Sequence, residues 1–100
     1  MSSSTEYRDF ILDQLKNLNG ISYKAMMGEF LLYYNGVLFG GIYDDRFLIK
    51  KTNLNKNFSL SEEIPYTGAK TMYLIENLDD VSYLTNIIKK TCKNLQKKKT

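Results

Sequence analysis

One hundred residues, 43% of them hydrophobic and 13% aromatic, suffice for one packed core, and the composition is that of a globular rather than a disordered chain. No stretch approaches the roughly 18 consecutive apolar residues of a membrane span, and the complete absence of histidine excludes Ser-His-Asp and Cys-His catalysis and any histidine-bearing zinc site. The net charge of +3 is unevenly spread: residues 81–100 hold six lysines and no acid, whereas residues 1–80 hold eight basic against eleven acidic residues.

In chain order, Ser3 and Glu6 have the spacing of a capping box, and Tyr7, Phe10, Ile11, Leu15 and Leu18 recur at helical intervals with charged residues between them. The spacing predicts a helix over about 5–18, ended by Asn19-Gly20, where glycine accepts a left-handed backbone. Ile21 to Met27 reads as a first strand, and Gly28-Glu29 as a bend or bulge. Phe30 to Tyr34 and Val37 to Tyr43 flank Asn35-Gly36, the pair best able to take positive φ twice in a type I′ turn. Asp44-Asp45 makes a second turn before Arg46 to Lys50.

Residues 51–68 lose periodicity and read as a long connection, with a short turn near 57–63; Lys70 to Glu76 alternates as a fifth strand. Asp79 or Asn77 can cap a last helix, in which Val81, Leu84, Ile88, Cys92 and Leu95 form one stripe and the lysines suit the negative end of the helix dipole. The expected fold is α+β: two layers, an about five-stranded, mainly antiparallel sheet with an N-terminal and a C-terminal helix on one face. Residues 1–100 make a single domain with a basic helix end over 88–100. The opening MSSSTEYRDF lacks the basic start and apolar run of a signal peptide, so the expected location is cytoplasmic.

A two-residue turn at Asn35-Gly36 places Tyr34 opposite Val37, Leu32 opposite Phe39 and Phe30 opposite Gly41. Phe30, Leu32, Tyr34, Val37, Phe39, Tyr43 and Leu48 are then expected on one face, with Leu31, Tyr33, Leu38, Ile42, Phe47 and Ile49 on the other. Both faces are apolar, and two helices cover only one. Either the first face is enclosed by a helix or by the 51–69 loop, or it is a docking surface for a protein partner or a second copy.

No other group of residues assembles chemistry. Asp44-Asp45 reads as a hydrated turn and Glu62-Glu63 as a solvated loop pair, since a hard cation wants six or more oxygens. Cys92 falls on the apolar stripe of the last helix and reads as a small buried hydrophobe. Gly40-Gly41 marks a bulge or room for an opposing aromatic. No enzyme, cofactor or metal site is expected. The alternative activity is weak, salt-sensitive nucleic-acid binding through Lys89, Lys90, Lys93, Lys97, Lys98 and Lys99, where no interleaved aromatic offers base stacking.

The ordered set Met26-Met27-Gly28, Leu32-Tyr33, Asn35-Gly36, Phe39, Asp44-Asp45 and Phe47-Leu48-Ile49-Lys50 resembles the TfoX (Sxy) N-terminal domain. That family's pattern runs approximately R-x-M-F-G-G-x-G-L-Y-x-D-G-x-x-F, an aliphatic pair, then D-x-L-Y-L-K. Pro65-Tyr66, Met72-Tyr73 and the span from Leu78 to Leu95 look like its later segments, and the similarity covers nearly the whole chain. Glu29 and Leu31 stand where the family often has glycine, Met27 where it has phenylalanine, and the tryptophan common in the last helix is missing. The resemblance implies an antiparallel sheet flanked by helices and a tie to competence and transcription regulation. Its longer members act as coactivators alongside the cyclic AMP receptor protein and carry a second, C-terminal domain. It implies no catalytic residue.

Overall fold

The computed structural model describes the backbone of residues 3–99 and the side chains of residues 3–95. Its elements are α1 (Thr5–Gln14), β1 (Ile21–Met26), β2 (Glu29–Tyr34), β3 (Val37–Ile42), β4 (Phe47–Ile49), a 3-10 turn (Lys56–Phe58), β5 (Ser61–Glu63), β6 (Met72–Leu74) and α2 (Val81–Lys99). The strands form one six-stranded antiparallel sheet in the order β1-β2-β3-β4-β6-β5. No helix among the described residues is long and apolar enough to cross a membrane. The architecture is the expected α+β one with a strand added, because β5 arises inside the aperiodic connection. Its residues, Ser61, Glu62 and Glu63, carry no apolar alternation. Pairing with β6 and ion pairs from Arg46 to Glu63 (2.7 Å) and Lys51 to Glu62 (2.8 Å) hold it.

Three two-residue turns carry the first four strands, each with positive φ at both positions: Met27-Gly28 (53° and 84°), Asn35-Gly36 (50° and 81°) and Asp44-Asp45 (54° and 56°). Left-handed backbone at both central residues matches the right-handed twist of the flanking strands. Aspartate tolerates it less well than glycine, and the third turn is clasped from outside. The Glu29 carboxylate accepts from the Asp44 amide (3.1 Å) and the Ser3 hydroxyl (2.7 Å), while Asp45 Oδ1 accepts from the Ser4 amide (2.8 Å). Glu29 is thus spent on anchoring a turn. Ser4, one residue beyond the predicted cap, is the N-cap of α1, its side chain accepting from the Tyr7 amide at 3.1 Å. The helix stops at Gln14 rather than near 18, because Leu15 to Leu18 tighten into a turn that buries both leucines.

Both helices lie on one face. Ile11, Leu15 and Leu18 from the α1 region and Leu84, Ile87, Ile88 and Cys92 of α2 share one core with Phe30, Leu32, Phe39, Ile42, Phe47, Ile49 and Ile75. The strand side chains in that core differ from the expected set because of one irregularity. Tyr34 opposes Val37 as the turn dictates, but Leu32 opposes Gly40 and Phe30 opposes Ile42, so Phe39 is an extra residue on β3. An extra residue reverses the alternation that follows it. Ile42, Phe47 and Ile49 therefore turn inward, and Tyr43 and Leu48 turn outward.

Gly40 permits this crossing. A Cβ there would collide with the Leu48 carbonyl oxygen and sit 2.9 Å from the Ile49 Cα. Gly40 is explained by close approach of the β4 backbone, and Gly41 by the Phe30 carbonyl oxygen and the Tyr43 ring, which a Cβ there would meet at 2.7 and 2.8 Å, with no ligand required.

Candidate functional site: the open face of the sheet

The docking surface expected from the sequence is mostly core. Phe30, Leu32, Val37, Phe39 and Leu48 are buried within the chain, and Tyr34 packs against the same core from its margin. The seven residues do not share a face. The helices cover Phe30, Leu32, Tyr34 and Phe39, whereas Tyr43 and Leu48 belong to the opposite side. The alternative left open, enclosure by a helix, is what occurs for the first group.

The apolar surplus persists on the other side. Register places Leu31, Tyr33, Leu38 and Tyr43 there together with Leu48 and Leu74. Leu31, Tyr33, Leu38, Tyr43 and Met72 are each only partly buried. Segment 64–71 crosses one end of this face, where Arg46 donates to the Ile64 carbonyl (3.2 Å) and the Pro65 carbonyl (3.3 Å). Between that segment and the strands lies a groove of about 830 Å³, floored by Leu31, Leu38 and Met72 and edged by Tyr66, Lys50 and Lys70. A second hollow of about 480 Å³ continues it past Tyr43 to Met26 and Met27. The Tyr43 and Tyr66 rings, 6.2 Å apart, stand between the two. Burial raises the Tyr43 phenol above its ordinary pKa, and the neighbouring Tyr66 and Glu29 add to the effect, so its hydroxyl stays protonated at neutral pH.

This arrangement offers shape and apolar area with hydrogen-bonding rims. It brings no nucleophile, base or clustered acid together. Asp44-Asp45 is the clasped turn, and Glu62 pairs with Lys51, whose hydrogen bond together with that of Thr71 lowers its pKa. Of the lysines expected at the C-terminus, Lys89, Lys90 and Lys93 are exposed on α2 and Lys90 Nζ lies 5.5 Å from the centre of the Phe58 ring. The side chains of Lys97, Lys98 and Lys99 lie outside the described residues.

Cys92 is 2% exposed in the core, and burial pushes its thiol from 9.0 up to about 12. Folding thus favours the protonated thiol, a contribution that is complete below pH 9 and lost as pH rises toward 12. Partly buried Tyr7 and Tyr83, also raised by desolvation, act in the same direction. Cys92 will therefore be silent to a thiol reagent in the native protein at neutral pH and react at the rate of unfolding in urea. Native reactivity at the rate of free cysteine would show the core to be open there.

One residue invisible to pattern reading holds the long connection in place. Asn55 is fully buried; its Oδ1 accepts from the Thr52 amide (2.9 Å), and its Nδ2 donates to the Lys50 carbonyl (2.8 Å) and Thr91 Oγ1 (2.9 Å). Thr91 in turn donates to the Ile87 carbonyl at 2.8 Å, so this loop asparagine ties the end of β4 to α2. A polar residue in a polar loop sends no sequence signal of burial.

The chain is 30% identical over 80 residues to an uncharacterized 12.7 kDa protein in the trpE 5′ region of Spirochaeta aurantia. The alignment covers 78% of this chain and 70% of that protein. No family model matches the chain.

Proposed function

We propose that this chain, which belongs to the family of the Spirochaeta aurantia 12.7 kDa protein, is a non-enzymatic regulatory module that binds a protein partner on the open face of its sheet. The observation that carries the reading is the residual apolar face itself. Leu31, Tyr33, Leu38, Tyr43 and Met72 stay partly exposed after both helices have packed on the other side. Partly exposed aromatic and aliphatic side chains around a groove are the usual anchors of protein interfaces. Methionines at the groove's end, Met26 and Met27, are adaptable contact residues. The resemblance to the TfoX N-terminal domain supports a regulatory context, with a tie to transcription, over a metabolic one.

A photocrosslinking residue installed at position 38 tests this directly. In extract of the native cells it is expected to capture a discrete partner that the same residue at position 16, exposed in the turn after α1, does not capture. Tyr43→Ala should abolish the capture while leaving the fold intact. Identical products from positions 38 and 16 would sink the reading.

A further inference from the structure

We infer that the free edge of β1 pairs with β1 of a second copy, continuing the sheet across a two-fold axis. The inference goes beyond the proposed function, because it uses the sheet's edge and leaves its open face available.

The two edges of the sheet differ. β5, at one edge, is three residues long, carries Glu62 and Glu63, and is crossed by ion pairs from Lys51 and Arg46. Short length and charge are the ordinary protections against edge pairing. β1, at the other edge, is six residues long, ISYKAM, with a single charge, no proline and no register shift against β2. Five of its six residues are exposed.

The hydrogen-bond alternation along β1 can be read from its end. The Asn35 amide donates to the Gly20 carbonyl at 2.9 Å, which makes 20 and 35 a hydrogen-bonded pair in the Ile21-to-Tyr34 register. Alternation then directs the backbone groups of Ser22, Lys24 and Met26 toward β2, and those of Ile21, Tyr23 and Ala25 outward. Among the described residues, no hydrogen bond from another segment reaches the amides of Ile21, Tyr23 or Ala25.

These outward groups are self-complementary. An antiparallel two-fold centred on Tyr23 sets Tyr23 opposite Tyr23 and Ile21 opposite Ala25, each a pair whose amides and carbonyls all point across the new seam. It keeps helix-covered face beside helix-covered face. Lys24 meets Ser22, whereas centring on Lys24 would oppose two lysines.

A second observation converges on the same register. Met27 is 97% exposed and holds a left-handed backbone (φ 53°) that a methionine adopts only at a cost. The pairing brings Met27 of each copy level with Asn19 of the other, beside a hollow of about 510 Å³ lined by Leu12, Leu15 and Leu18. An exposed apolar tip and an unfilled apolar hollow thus meet twice across one axis.

Light scattering on the full chain over a concentration series is expected to show a monomer-to-dimer equilibrium. Met27→Glu changes an exposed tip, and Ala25→Pro removes only an outward amide. Each should weaken the dimer about tenfold or more, as loss of an interface anchor does, with unchanged circular dichroism. Leu38→Glu, on the open face, should leave it unchanged. Under mild oxidation Tyr23→Cys should cross-link between copies, since paired Cα atoms lie roughly 5.5 Å apart, whereas Lys24→Cys should not; buried Cys92 does not compete. A wild type monomeric at its highest soluble concentration overturns the inference. So does a dimer that survives both Met27→Glu and Ala25→Pro, or one that cross-links through position 24 and not 23.

Discussion

Phe39→Ala is expected to lower the free energy of unfolding by about 3–5 kcal/mol, and Phe39→Glu to leave no folded protein. Phe39 is wholly buried in the core shared by both helices, and it sits at the one position of β3 without a partner on β2. Removing its ring opens a cavity that a surrounding set of fixed strands and helices cannot close. A carboxylate there would be desolvated with no cation beside it. The neighbouring Leu38 lies on the opposite, open face, so Leu38→Glu should cost about 1 kcal/mol or less. Urea unfolding of the three variants against wild type measures the contrast. Equal losses at 38 and 39, or the larger loss at 38, would mean that the extra residue on β3 is misplaced and the faces are exchanged.

Asn55→Ala is the second large effect, about 3 kcal/mol of destabilisation. The substitution leaves the buried Thr52 amide and the part-buried Lys50 carbonyl without this partner and takes a donor from the Thr91 hydroxyl, which keeps its own bond to the Ile87 carbonyl. A buried donor or acceptor without a partner typically costs about 1–3 kcal/mol, and partial relaxation of the loop keeps the total near the upper end for one such group. Thr52→Val provides the control three residues away. Thr52 Oγ1 is buried and, among the described residues, has no hydrogen-bond partner. Replacing that hydroxyl by a methyl of similar shape should leave stability within about 0.5 kcal/mol or raise it. Thermal unfolding of both variants decides. An unchanged midpoint for Asn55→Ala would show that the asparagine merely occupies space.

Much of the architecture was legible because it is local. The helical spacing from Tyr7 to Leu18, the Asn35-Gly36 turn and the stripe from Val81 to Leu95 each state their structure within a short continuous stretch of chain. The two ends of the molecule and the turns at Asn35-Gly36 and Asp44-Asp45 follow from such signals, whereas the stretch read as a bend or bulge at Gly28-Glu29 is a two-residue turn at Met27-Gly28. A smaller departure has a long-range cause: Ser4 rather than Ser3 caps α1, because Ser3 is drawn away to Glu29 and the Asp45 amide, both distant in sequence.

The candidate surface was not legible, and one residue explains why. Alternation from Asn35-Gly36 is a correct rule applied along a strand that breaks it at Phe39. A single extra residue exchanges the two faces for everything downstream, so Tyr43 and Leu48 moved outward and Ile42, Phe47 and Ile49 moved in. The Gly40-Gly41 pair hinted at a bulge, yet glycine alone cannot say on which side of itself the extra residue falls. β5 escaped for another reason: Ser61 to Glu63 acquires its strand conformation from β6 and from Arg46 and Lys51, all distant in sequence.

By itself the sequence determined the two α-helices, the antiparallel run of the three strands from Phe30 to Lys50 and the excess of apolar side chains over what two helices can cover, because periodicity and turn chemistry act between near neighbours. Only the tertiary structure decided which face the helices cover, which aromatic rings remain accessible and which sheet edge is bare. Those depend on the phase of β3 and on contacts between segments far apart in the chain, where a shift of one residue inverts the result while leaving every local signal unchanged.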